Sequence, residues 1–428
     1  MEEVKKSVDH QKLIVKKSVL SGEVKVSGAK NSVLRLLAAS LLSSKKINLK
    51  NYPYTLLDAQ VHVDMLVQLG KTVNVDPANN EITIEESKTL ETDLVWNRRS
   101  IRNTLLILGA LTARFGRGSV PAPGGCEIGS TGTRGFELHV DLLQKLGATV
   151  TVSDGVIHTE AVNGLIGNDI YLPIRSTGAT ENAILCGTLA KGITRIWNPH
   201  IRPEIIDLIN FLNLMGAKIK VFGQEHIEIK GVSELRGINY EVMPDNVEAL
   251  TWLIGASITG GEIEIQDFPF EHLEVPLIFL RESGVEMFKG RSSLVVRNSR
   301  CYPLEISTGP YPGINSDMQP LLATFAAFAK GESKFIDLRF PGRYGYAFEL
   351  KKMGLDCDVS DNLLTIRGGN KLVGTDVTAL DLRAGVAAAL AGFCAEGTTV
   401  IHDAWQVARG YDNFVEKITQ LGGYAEWQ

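Results

Sequence analysis

A chain of 428 residues, 44% hydrophobic and 22% charged, is a globular protein too long for one ordinary core, so two or more domains are expected. Its net charge of −5 lacks the basic footprint of a nucleic-acid binder, and no apolar run reaches the about 18 residues that span a bilayer. Five cysteines at irregular spacing make neither a disulfide framework nor a zinc pattern; with a charged opening, "MEEVKKSVDHQKLIVKK", that has no apolar signal region, they predict a cytoplasmic protein.

The first strand-to-helix junction is "VKVSGAKNSVLRLLAASLL". It puts Lys30 and Asn31 at the first turn of an apolar helix, where exposed amides favour an anion. In isolation Lys30 also reads as a solvated loop lysine. The next phrase, "MLVQLGKTVNV", ends an amphipathic helix on Gly70 and starts an alternating strand. The same phrase returns with Gly147, Gly216, Gly284, Gly354 and Gly422, at separations of 68 to 77 residues. Six units of one kind therefore fill the chain. Each also carries an Ala- and Leu-rich helix, such as "ILCGTLAKGITRIWN" or "LIGASITGGEIEIQD", apolar nearly all round and therefore expected inside. Two helices and about four strands per unit predict two similar α/β lobes with a cleft between them; a solenoid is the other arrangement such repeats allow.

Further along, Arg102 opens the apolar helix of "NRRSIRNTLLILGALTARFG". The stretch "PAPGGCEIGSTGTRGFELH" sets Cys126 among glycines near Arg134, where a thiolate could be stabilised and reached by a substrate. Cys186 and Cys394, inside Ala-rich helices, read as inert core residues. Asp317 precedes an apolar helix in "GPYPGINSDMQPLLATFAAF", where it is either a helix cap or a general base. Arg343 follows a Pro-Gly turn in "LRFPGRYGYAFEL", and Arg383 starts the helix of "ALDLRAGVAAALAG". Each arginine alone reads as a surface charge. Four of six units with a cation at such a junction would nonetheless gather their charges at the cleft, around phosphate and carboxylate groups.

With "SGAKN", "LGALTARFG", "PGGCEIG", "SDMQP", "DLRAG" and "RGYDNF" in order along its whole length, the chain resembles the enolpyruvyl transferases, in particular the branch that uses UDP-N-acetylglucosamine. The resemblance implies a two-lobed, inside-out α/β barrel of six βαβαββ units, three per lobe, with residues 30–243 in one lobe and 1–29 plus 244–428 in the other. It implies transfer of the enolpyruvyl group of phosphoenolpyruvate to the 3-hydroxyl of UDP-N-acetylglucosamine, with loss of phosphate, for peptidoglycan synthesis. Phosphoenolpyruvate and a uridine nucleotide are then the small-molecule partners, with no nucleic acid, no membrane, no metal, no organic cofactor, and a monomer as the expected state. Carried over by position, Lys30, Arg102, Arg134, Arg343 and Arg383 hold phosphoenolpyruvate. Asn31 and Asp317 contact the acceptor hydroxyl, with Asp317 as its base; Cys126 is the lid cysteine that protonates the vinyl carbon and is alkylated by fosfomycin; Asp58 matches an aspartate of the first unit.

Three passages depart from the family pattern. "CEIGSTGTRGFELH" has three extra residues between Cys126 and Arg134 and replaces a Pro-Val pair; "LPIRSTGAT" lacks the lysine before Ser176, Thr177 and Gly178, with Arg175 a neighbouring substitute; and "DLRFPGR" introduces Arg339 and Pro341-Gly342. An intact chemical core with an altered acceptor pocket fits either a divergent cell-wall enzyme or a relative that modifies another nucleotide such as UMP. A non-catalytic nucleotide-binding paralogue is the reading from another class, and joint retention of Lys30, Cys126, Asp317, Arg343 and Arg383 speaks against it. The branch that uses a shikimate-type acceptor lacks this cysteine lid, and RNA 3′-phosphate cyclases need an adenylated histidine for which there is no motif.

Overall fold

The computed structural model describes residues 12–98, 101–123 and 135–428. Its buried apolar residues fall into two cores, one drawn from residues 33–242 and one from residues 13–26 and 247–421. Among the described residues six sheets surround them, five of four strands and one of three. Three belong to each core, so the molecule is a two-lobed α/β protein of six repeated units, as the glycine spacing predicts.

Each unit supplies one buried helix and one outer helix. The buried helices are Lys30–Ala39, Thr104–Phe115, Thr177–Leu189, Asn246–Thr259, Gln319–Phe328 and Leu382–Cys394. In Asn246–Thr259 every residue from Asn246 to Ser257 is buried, which explains an apolar sequence without an amphipathic stripe. The outer helices end at the six repeated glycines, whose φ angles run from 76° to 108°. That left-handed conformation is cheap for glycine alone and turns each chain into its following strand.

Two segments pass between the lobes side by side. Gly28 and Pro244 form an antiparallel bridge, with Ala29 donating its N–H to Met243 O at 2.7 Å and Asp245 donating to Ser27 O at 2.9 Å. Gly28 is required there because a Cβ would lie 2.0 Å from Asn51 O. Asp245 accepts the Lys30 N–H at 3.0 Å with one oxygen and caps helix Asn246–Thr259 with the other. One aspartate thus fixes where two buried helices, one per lobe, begin. The first and last described strands, Lys12–Lys16 and Tyr424–Trp427, pair antiparallel in one sheet. No helix among the described residues is long and apolar enough to cross a membrane.

Candidate active site

Where the lobes face each other, the N-terminal ends of the buried helices bring charged residues into the interior. Lys30 is the first residue of its helix, Arg383 the second of its own, and both are buried. Arg383 is 1% exposed and Arg343 7%, which excludes the surface-charge reading of either arginine.

Two linked groups form. In the first, Asp58 lies 3.0 Å from Lys30 Nζ and 3.0 Å from Arg409 Nε. Burial alone would raise the Asp58 carboxyl, but Lys30 and Arg409 outweigh it and hold the group below its ordinary range. Burial lowers Lys30, and Arg409 and Arg383 lower it further against the pull of Asp58. A lysine in that position gains from any anion that arrives.

In the second group, Arg343 Nη1 donates to Asp317 at 3.0 Å and its Nη2 to Asp381 at 3.1 Å. Asp381 also caps helix Leu382–Cys394, accepting from the Arg383 and Ala384 amides at 2.7 and 2.8 Å. Arg383 Nη2 lies 3.8 Å from Asp317, while its Nε and Nη1 have no hydrogen-bond partner among the described residues. A buried guanidinium with free donors is costly unless something binds them. Asp317 does not cap the helix it precedes, whose N-terminus has no side-chain cap, so that alternative is corrected. Burial would raise its carboxyl, yet Arg343, Arg383 and Arg202 hold it well below the usual carboxylate range.

Beside these groups a cleft of about 540 Å³ is lined by Asn31, Arg102, Ser176, Thr177 and Gly178 from one lobe, and by Asp317 and Arg339 from the other. Seven residues singled out in the sequence therefore share one cavity. Ser176 caps helix Thr177–Leu189, accepting the Ala179 N–H at 3.4 Å. Arg102 Nη2 donates to Gly135 O at 2.6 Å. Arg175 is not among the residues lining the cleft; its Nε bonds Asn198 Oδ1 at 3.3 Å. Cys126 and Arg134 lie outside the described residues.

Several residues in and beside the cleft escaped the sequence reading. Arg409 belongs to "RGYDNF", a phrase legible as a motif but without a local sign of its ionic partner. Arg35 and Arg202 line the cleft itself, and each is matched by a buried carboxylate, Glu181 at 2.7 Å and Glu204 at 2.6 Å. His139 accepts from Asn182 Nδ2 through Nδ1 at 3.1 Å, which leaves its Nε2 as the protonated nitrogen under Gly178, where a Cβ would come within 3.2 Å. Burial, then Arg102, lowers His139 to about 3, so it is neutral.

Two lobes of three repeated units, with helix N-termini, arginines and carboxylates converging between them, define a carboxyvinyl-transferase architecture, and the sequence agrees: the chain belongs to the EPSP synthase (3-phosphoshikimate 1-carboxyvinyltransferase) family, whose sequence profile matches residues 14–418. Within that family it is 39% identical over 415 residues to UDP-N-acetylglucosamine 1-carboxyvinyltransferase 1 of Caldanaerobacter subterraneus, covering 96% of this chain and 98% of the relative. It is 40% identical over 405 residues to the protein of the same name from Carboxydothermus hydrogenoformans, covering 94% of each. Among solved structures, the enolpyruvyl transferase NikO from Streptomyces tendae superposes with a TM-score of 0.87 at 26% identity, over 97% of this chain and 98% of that one.

Proposed function

We propose that this protein transfers the enolpyruvyl group of phosphoenolpyruvate to the 3-hydroxyl of UDP-N-acetylglucosamine and releases phosphate, a step of peptidoglycan precursor synthesis. The observation that carries the reading is the joint presence of Lys30, Asp317, Arg343 and Arg383 in one buried, cation-rich constellation beside a cleft of nucleotide size. The identity of close to two fifths with relatives of that name, over nearly the full chain, supports the choice of acceptor.

In the proposed reaction Asn31 and Asp317 orient the acceptor hydroxyl, and Asp317 takes its proton as the oxygen attacks C2 of phosphoenolpyruvate. Cys126 delivers a proton to C3, giving a tetrahedral ketal. Loss of phosphate, with a proton leaving C3, then gives the enolpyruvyl ether. Arg102, Arg134, Arg343 and Arg383, with Lys30, bind the phosphate and carboxylate and follow their charge; fixed guanidinium groups do so with little reorganisation. Asp317 becomes an effective base as the incoming anions compete for Arg343 and Arg383, which relaxes the two contacts that depress its basicity. Ser176, Thr177, Gly178 and Arg339 are the proposed acceptor contacts. Lobe boundaries at 30–243 and at 1–29 plus 244–428 are part of this reading, as is a soluble monomer acting on small molecules.

A second reading, transfer to another nucleotide such as UMP, is favoured by Arg339, a cation added to the cleft wall, and by the likeness to NikO. Phosphate release from phosphoenolpyruvate, measured in parallel with UDP-N-acetylglucosamine and UMP, separates the two. Release with the sugar nucleotide is expected; release with UMP alone would replace the first reading by the second.

A further inference from the structure

The loop between strand Ile193–Trp197 and helix Pro203–Leu214 carries His200, which lines the same cleft as Thr177 and Asp317. Its Nδ1 lies 2.8 Å from Thr177 Oγ1, and its Nε2 accepts the backbone N–H of Tyr311 from the opposite lobe at 3.4 Å. An accepting nitrogen carries no proton, so the imidazole is the neutral Nδ1–H tautomer, which donates to the Thr177 hydroxyl. The His200 N–H in turn donates to Thr180 Oγ1 at 3.0 Å, fixing its main chain to the first turn of helix Thr177–Leu189. On the far side, Tyr311 is held by its hydroxyl, which donates to Glu271 O at 3.1 Å.

We propose that His200 is a positioning residue that couples the Thr177 end of the cleft to closure of the two lobes. A ligand that engages Thr177 orders the hydroxyl that receives the Nδ1 proton. That fixes the ring with Nε2 aimed across the cleft at Tyr311, and the opposite wall, with Asp317 and Arg339, is drawn over the ligand. Protonation would abolish the link, because Nε2–H would then face N–H. Burial keeps the ring neutral, with a pKa lowered to about 4 by that burial and by Arg202, Arg339 and Arg175, against the opposing charge of Glu204. The naming of the ligand as the sugar nucleotide rests on the function proposed above; the cross-lobe link does not.

The test compares the full chain with its His200→Ala and His200→Gln variants, glutamine keeping an acceptor at the reach of Nε2. Small-angle scattering without ligand is expected to show the alanine variant more expanded than wild type and the glutamine variant close to it. In kinetics, the alanine variant is expected to raise the KM for UDP-N-acetylglucosamine by about three- to tenfold, the weight of one long hydrogen bond. No matching rise in the KM for phosphoenolpyruvate is expected, and glutamine should restore most of the difference. Unchanged scattering with unchanged acceptor KM would overturn the proposal. So would an equal loss in both KM values that glutamine does not rescue, the behaviour of a residue that merely supports the fold. Failure of wild type to use the sugar nucleotide would overturn the acceptor reading instead, and the scattering comparison would still decide the link.

Discussion

Asp58 is the most exacting point at which to perturb the site, because one buried carboxylate serves two cations from different lobes. Asp58→Asn keeps the shape and removes the charge. At 3.0 Å each ion pair is worth about 5 kcal/mol at an effective dielectric of ~20, and most of that offsets desolvation. Removing one member of such a set leaves the rest buried without a counter-ion, at a cost of about 3–5 kcal/mol. Chemical denaturation in phosphate-free buffer at neutral pH is expected to show a loss of that size. Two further features should accompany it. Inorganic phosphate, offering a charge in place of the missing one, should stabilise the variant more than the wild type; saturation to one hundred times Kd recovers about 2.7 kcal/mol. The deficit should also shrink as pH climbs toward 10.5, since Lys30 titrates below its ordinary value in the folded chain. In that window the unfolded state binds more protons, so stability rises with pH, and more steeply once Asp58 no longer supports the charge. A loss under about 1 kcal/mol, or equal stabilisation of both proteins by phosphate, would refute the argument that Asp58 is what holds these cations together.

Asp317→Ala is expected to cut phosphate release by about a thousandfold at every pH tested, the scale of a lost general base, and near-normal turnover would remove Asp317 from that role. Arg383→Met should abolish stabilisation by phosphoenolpyruvate, read by differential scanning calorimetry with and without the ligand, because the arginine offers donors with no hydrogen-bond partner among the described residues; stabilisation equal to that of the wild type would contradict this. Asp207, buried and bonded to Ser32 and to Tyr240 at 2.7 Å, is raised to about 6 by burial from an ordinary 3.8, so its contribution to stability falls as pH rises through that interval. Asp207→Asn should remove that slope and gain up to about 3 kcal/mol at pH 7 relative to pH 4, read from urea midpoints at both pH values. Burial raises the thiols of Cys186, Cys301, Cys357 and Cys394, with Cys301 lifted to about 11 and Cys394 to about 12, so rapid alkylation at mildly alkaline pH should modify one cysteine and be lost in Cys126→Ser. Retained labelling in that variant would show that the reactive thiol lies elsewhere.

The repeat was legible because one physical requirement recurs six times: an outer helix must turn into a strand, and glycine makes the turn. The buried helices were legible because a helix with no polar face has nowhere to lie but inside. Pairings were not, since charge balance in the cleft is made over long range. Asp58 meets Arg409 across 351 positions of chain, and Arg35 meets Glu181 across 146. No window of local sequence shows that "RGYDNF" from the last unit closes on the first. Asp317 illustrates the same limit from the other side: beside a helix N-terminus a lone aspartate looks like a cap, and only Arg343, brought in from 26 residues away, shows where its carboxylate points.

What the sequence does offer is a rule about ends. A helix buried along its whole length can place a charge only at a terminus, and in this fold those N-termini converge between the lobes. Lys30, Asp381 and Arg383 obey it, each within the first turn of an apolar helix or at its cap. Arg35, in the second turn of Lys30–Ala39, breaks it, is partly buried, and has Glu181 as counter-ion. Among the charges that follow the rule, Arg383 keeps donors without a hydrogen-bond partner among the described residues, whereas Lys30 is paired with Asp58 and Asp381 with Arg343. What a cation keeps for a ligand is therefore set by the carboxylates that distant parts of the chain bring to it as well as by its place along the helix.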